Sequence, residues 1–140
     1  ALGRPDEARR WFEAAVERDG LNPMGHFNLG TLALRNDDAK GALAHFEKAL
    51  QIDDRFGQGY RARGRVRAFL GETVEAQRDF EAYTRYSPKD PNSWLELARL
   101  HSKASEFRKA LMTLREGLAQ TRGHPLLRQA MTAVQAGQPL

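Results

Sequence analysis

The chain contains no cysteine. Disulfide stapling, thiolate catalysis and cysteine-ligated metal sites are therefore excluded, while the compartment is left open. Long apolar runs are also missing: none approaches the roughly 18–20 residues that a membrane-crossing helix needs. No basic start followed by an apolar stretch marks a secretory leader. A strong excess of one charge is absent too. The 22 basic residues stand against 18 acidic ones, a net +4, which leans toward acidic partners far more weakly than a basic tail would. With 41% hydrophobic and 29% charged residues, the 140-residue chain has the composition of one folded domain, not of a disordered tail. It opens on Ala1 without a methionine, and we expect a processed or excised piece of something longer.

What the sequence does contain is a period. Ala8, Ala42, Ala76 and Ala110 fall 34 residues apart. Phe12, Phe46, Phe80 and Leu114 follow four residues after each, and Ala15, Ala49, Tyr83 and Gly117 three residues after those. Upstream, His26, Tyr60 and Trp94 form one column, Leu29, Arg63 and Leu97 a second, and Gly30, Gly64 and Ala98 a third. Pro23, Pro91 and Pro125 keep the same phase, with Gly57 in the remaining place.

Each column has a physical reason. Spacings of three and four put these residues on one helical face. Small residues such as Ala42 and Gly64 let two helices approach, and large ones such as Phe46 and Trp94 fill the space beside them. Asn22-Pro23 and Asp90-Pro91 read as an N-cap followed by proline in the first turn. Gly3 and Gly71 are expected in inter-helix turns, where a positive φ is cheap for glycine; Asp37 and Ser105 take the same register in the other two turns. The predicted helices cover 5–18, 23–35, 39–52, 57–70, 73–86, 91–104, 107–120 and 125–136. No strand and no low-complexity linker is expected.

These columns resemble the tetratricopeptide repeat family across nearly the whole chain. His26 to Gly30, followed by Ala42 to Leu50, is close to the family pattern, and Trp94 to Ala98 repeats its opening. The sequence departs from that pattern at Ala33, Arg67 and His101, where an aromatic is commoner, and at Asp54 and Arg122, where proline is common. The resemblance implies an all-α, right-handed superhelical solenoid of antiparallel helix pairs. It would form a single domain: the second helix of a truncated repeat (1–22), repeats at 23–56, 57–90 and 91–124, and a terminal helix and tail (125–140).

Catalytic chemistry finds no constellation. His26, His45, His101 and His124 scatter among repeat columns, with His45 expected to face outward, and a metal site needs three or four converging ligands. No nucleophile triad or carboxylate pair assembles. Gly57, Gly59 and Gly64 follow no strand, so they make no dinucleotide loop. No metal, cofactor or enzymatic activity is expected.

The informative run is Arg61, Arg63, Arg65 and Arg67, which helical geometry splits into Arg61 with Arg65 and Arg63 with Arg67. Arg63 lies in the column of Leu29 and Leu97, so it needs a buried partner. Asp79, one residue before the Phe80 column, is the expected one, giving a structural ion pair. In the family, first helices of successive repeats line a concave groove that receives a peptide. The groove positions here include Phe27, Asn28, Thr31, Arg35, Arg61, Arg65, Phe69, Arg99 and Lys103, apolar at one end and basic toward the other. Members that clamp a C-terminal carboxylate use asparagine and basic residues on this face; Asn28, Arg61 and Arg65 sit at corresponding places. A solvated basic face with no dedicated ligand competes with that reading and with a groove for an acidic or amphipathic segment.

The resemblance thus implies a protein–protein interaction scaffold, part of a larger scaffold, adaptor or secretion and assembly protein. The alternative is nucleic-acid binding through the arginine-rich face. Interspersed acids such as Glu72, Asp79 and Glu96, and the lack of aromatics between the arginines, count against it. Self-association through exposed repeat ends, with Trp11 beside Ala8, Phe12 and Ala15, is also expected.

Overall fold

In the computed structural model, which describes residues 3–140, each proline that keeps the repeat phase sits in the first turn of a helix behind a capping side chain. Asn22 Oδ1 accepts from Met24 N at 3.0 Å, Asp90 Oδ1 from Asn92 N at 2.9 Å, and His124 Nδ1 from Leu126 N at 3.2 Å. These caps satisfy backbone donors that helix geometry leaves without partners. Eight helices result among the described residues: α1 (Gly3–Arg18), α2 (Pro23–Arg35), α3 (Ala39–Ile52), α4 (Gly57–Phe69), α5 (Thr73–Tyr86), α6 (Pro91–Lys103), α7 (Phe107–Gln120) and α8 (Pro125–Gln135). The expected boundaries hold within one residue except at the start. Gly3, predicted in a turn, is the first residue of α1, and residues 1 and 2 lie outside the described residues.

The turns follow the repeat register. Gly71 has φ +81°, and Asp37 and Ser105, one period away on either side, take φ 57° and 61°. A non-glycine residue in this left-handed region is strained by roughly 1 kcal/mol. Their short polar side chains tolerate that region better than most.

Helices pack chiefly on their sequence neighbours, most closely as the pairs α2/α3, α4/α5 and α6/α7, and α8 also returns to α6. The pairs close because glycine meets aromatic: a Cβ on Gly30 would stand 2.5 Å from the Phe46 ring, and one on Gly64 2.8 Å from the Phe80 ring. The aromatic column repeats its polar contacts as well. Tyr60 donates its hydroxyl to Asp54 O at 2.8 Å, and Trp94 donates its indole N–H to Pro88 O, also at 2.8 Å. Each tip is thus tied to the carbonyl six residues upstream, so the half-buried Tyr60 and the buried Trp94 both pack with their polar atom satisfied. At the α1 end, Ala8, Phe12 and Ala15 are half-buried and Trp11 is exposed.

Candidate partner-binding groove

The arginine run of α4 divides as helical spacing requires, and its two faces meet different acids. On one face, Arg63 Nη2 lies 2.8 Å and Nε 3.1 Å from the carboxylate of Asp79, which is 2% exposed. Arg67 Nη1 joins it at 3.0 Å. One buried carboxylate thereby accepts from two guanidiniums, which repays its desolvation with charge-assisted hydrogen bonds. Arg63 also lies over the Tyr60 ring, 5.8 Å from its centre. Arg67 further approaches Glu72 at 4.0 Å. One period later the same register pairs His101 with Glu106 at 2.9 Å. Hydrogen bonds from Lys109 and then His101 hold the Glu106 carboxyl below its ordinary range.

On the other face, Arg61 and Arg65 both reach Glu96 of α6, at 3.4 and 3.5 Å. Glu96 is buried, while Arg65 is well exposed. Beneath them Tyr83 donates to Asp90. Burial and that hydrogen bond push the Tyr83 phenol well up. Burial pushes Asp90 up too, but hydrogen bonds from Tyr83 and Asn92 prevail and hold it below its usual range. Arg61 and Arg65 therefore share an acidic partner that the sequence alone does not assign to them. Their contacts to Glu96 are long and partly wet, worth at most about 1 kcal/mol each.

Two depressions run along the first helices of the pairs. One, about 510 Å³, is lined by Thr31, Leu34, Ala39, Ala62, Val66 and Phe69, with Arg65 at its edge. The other, about 630 Å³, is lined by Arg65, Phe69, Glu96, Arg99, Lys103 and Leu140 among others. Arg65 and Phe69 border both, so the two form one groove, apolar between α2 and α4 and basic between α4 and α6. Phe69, 84% exposed, stands as the ridge between them. Arg99 and Lys103 are exposed, and neither is in an ion pair among the described residues.

Of the expected groove residues, Thr31, Arg65, Phe69, Arg99 and Lys103 line this surface. Phe27 is in neither lining: its half-buried ring packs 5.6 Å from Phe46 and 5.3 Å from Phe56, against the core cluster shared by α2, α3 and α4. Asn28, Arg35 and Arg61 lie outside both linings. Glu96 and Leu140 are groove residues that sequence reasoning missed. Glu96 is one period from Ala62 and two from Asn28, and that column was the available signal.

A second correction concerns the histidines. His26 and His45, expected apart, meet with Nδ1 atoms 3.5 Å from each other and ring centres 5.8 Å apart. The centres are further apart than the nitrogens by about a ring's breadth, so the rings meet edge to edge through Nδ1. Burial, with Lys48 nearby, lowers the pKa of both. No group of three or more potential metal ligands occurs among the described residues. Nor is any described helix long and apolar enough to cross a membrane.

Comparison with known proteins agrees with this architecture. A family model described as tetratricopeptide repeat matches residues 1–55 and 61–125. Superkiller protein 3 of Schizosaccharomyces pombe (strain 972 / ATCC 24843) is 32% identical over 97 residues, covering 67% of this chain and 7% of the relative. The chain spans less than a tenth of the length of the curated relatives it matches. Among solved structures, the crystal structure of MamA superposes with a TM-score of 0.77 at 16% identity, over 97% of this chain and 80% of that one. YrrB, described as a TPR protein with an unusual peptide-binding site, gives 0.73 at 21% identity, over 90% and 65%. At such identities the likeness is one of fold, an all-α helical-repeat solenoid. The family match covers most of the chain, and the chain belongs to the tetratricopeptide repeat family.

Proposed function

We propose that this chain is a non-catalytic interaction module that holds a segment of another protein in the groove across α2, α4 and α6. The segment is amphipathic: an apolar side chain packs against Phe69 and the Leu34–Val66 floor, and acidic side chains meet Arg99 and Lys103. The observation that carries this reading is Phe69. A phenylalanine 84% exposed, on the wall shared by an apolar and a basic depression, is an anchor without an internal partner, and interfaces draw their affinity from a few such anchors. The peptide-binding site named for YrrB supports the same use of this fold. The basic half steers an acidic partner and adds salt dependence.

Titration of a fluorescein-labelled peptide of alternating leucine and glutamate, followed by anisotropy, tests the reading. Phe69→Glu and the pair Arg99→Glu, Lys103→Glu should each weaken binding at least about tenfold, roughly 1.4 kcal/mol. The pair Arg108→Glu, Arg115→Glu, which removes exposed charges of α7 away from the groove, should leave it unchanged. Equal loss in both charge pairs, or oligonucleotide binding with a steep salt slope and no peptide binding, would refute it.

A further inference from the structure

The turns inside the helix pairs share one register, and its three occupants differ in charge: Asp37, Gly71 and Ser105. Asp37 holds φ 57°, a conformation that glycine would adopt without strain. The cap of α3 does not require it, because Asp38 already accepts from Gly41 N at 2.8 Å. Asp37 is exposed, is in no ion pair among the described residues, and lines the apolar depression with Leu34 and Phe69. Arg35, two residues earlier, lies outside that lining. A charge kept in a strained turn with no internal ion pair is the kind of local outlier that function retains. At the opposite end stand Arg99 and Lys103, exposed and also outside every ion pair among the described residues. Between the ends, Arg65 is countered by the buried Glu96. From α2 over α4 to α6 the groove therefore runs acidic, apolar, basic.

We propose that the groove takes a dipolar segment of a partner protein in one fixed direction. A basic residue of the segment meets Asp37, apolar side chains pack on Phe69, and acidic residues meet Arg99 and Lys103. The proposal rests on the groove reading above and adds to it the charge order and the orientation of the occupant. Charge complementarity at the two ends contributes register and direction more than raw affinity. A segment laid the other way would put like charges together at both ends, which is how an interface rejects a wrong arrangement. Crossing from α2 to α6 spans about two helix diameters, roughly 20 Å. An extended chain covers that in about six residues at roughly 3.3 Å each, with alternate side chains on one face.

Two fluorescein-labelled peptides test this by anisotropy. Both carry a centre of alternating leucine and serine, about six residues long, followed by a pair of glutamates. One begins with a pair of lysines, and its counterpart begins with a pair of glutamines. The parent should bind the lysine peptide about two to five times more tightly than the counterpart, the range of an exposed charge pair. Asp37→Asn should erase that preference while the protein stays folded by circular dichroism, because asparagine tolerates the left-handed turn as aspartate does. Glu116→Gln, which removes an exposed acid of α7 outside both linings, should preserve it. A nitroxide on the lysine end should broaden amide signals around Asp37 and spare those around Lys103. Equal affinity of the parent for the two peptides, a preference that survives Asp37→Asn, or broadening around Lys103 overturns the inference and leaves the groove reading intact. Failure of both peptides and of the leucine–glutamate peptide to bind overturns the groove reading, and the inference with it.

Discussion

Replacing Asp79 with alanine tests the energetics of the α4–α5 pair more directly than any other change. Asp79 is 2% exposed, and it holds Arg63 through two donors and Arg67 through a third, at 2.8, 3.1 and 3.0 Å. Removing one partner of a buried pair costs about 3–5 kcal/mol, because the other charge stays behind without compensation. The two guanidiniums keep 16% and 21% side-chain exposure and so retain some water, which places Asp79→Ala at about 3 kcal/mol. Arg63→Leu behaves differently. Asp79 keeps Arg67, and leucine resumes the apolar column of Leu29 and Leu97, so the loss is about 1 kcal/mol. For a chain of this length, 1 kcal/mol moves Tm by about 3–5 °C. Thermal unfolding followed by circular dichroism should therefore separate the variants, with Asp79→Ala melting roughly 10 °C below the parent and Arg63→Leu roughly 4 °C below. Equal losses, or a larger loss for Arg63→Leu, would refute the argument that the acid is the keystone of this cluster.

Glu96→Gln should free Arg61 and Arg65 without changing the shape of the groove. Affinity for the leucine–glutamate peptide then rises about threefold to tenfold, around 1 kcal/mol, with a steeper salt dependence; an unchanged affinity by anisotropy refutes the competition. The histidine pair predicts a pH effect of defined sign. His26 and His45 have pKa values lowered by burial, so the unfolded chain takes up protons there more readily than the folded one. Their stability contribution is complete above about pH 6.5 and is lost as pH falls below it toward the lower folded values. The approaching cationic groups are Lys48 and, for His45, Arg9, with Asp38 opposing them. Urea unfolding of His45→Ala between roughly pH 5 and 7 should give a flatter profile than the parent; identical slopes would sink the idea.

The helices were legible because the columns recur at one spacing, and the phase survives substitution in individual columns. Arg63 was legible for a related reason: a guanidinium in a leucine column demands an acid, and Asp79 is the one on the facing helix. Arg67 shares the Arg63 face, yet its hold on the same carboxylate depends on side-chain reach, which spacing does not encode. The packing of Phe27 is less legible because its second aromatic neighbour, Phe56, stands in the N-cap register of Asn22 and Asp90, where a polar residue is the rule. Glu96 was misread as part of a scattered acidic background, although its period relates it to Asn28. The meeting of His26 and His45 depends on how α2 and α3 rotate against each other, and a periodic pattern leaves that angle open. Leu140 lies beyond the repeat altogether.

Because each helix rests chiefly on the helices before and after it in sequence, no distant ends of the chain must find each other for the structure to form. Loop closures are short, so folding is expected on the microsecond to millisecond scale of helical proteins with local contacts. It can nucleate at any well-packed pair and spread in either direction. The reverse process has a direction as well. Helix α1 packs only against α2 to any appreciable extent, whereas the α6–α7–α8 cluster holds the longest run of buried residues. Amide protons in α1 should therefore exchange through local opening well before those in α6, so that this protein loosens like a zipper from one end and not as a single cooperative block.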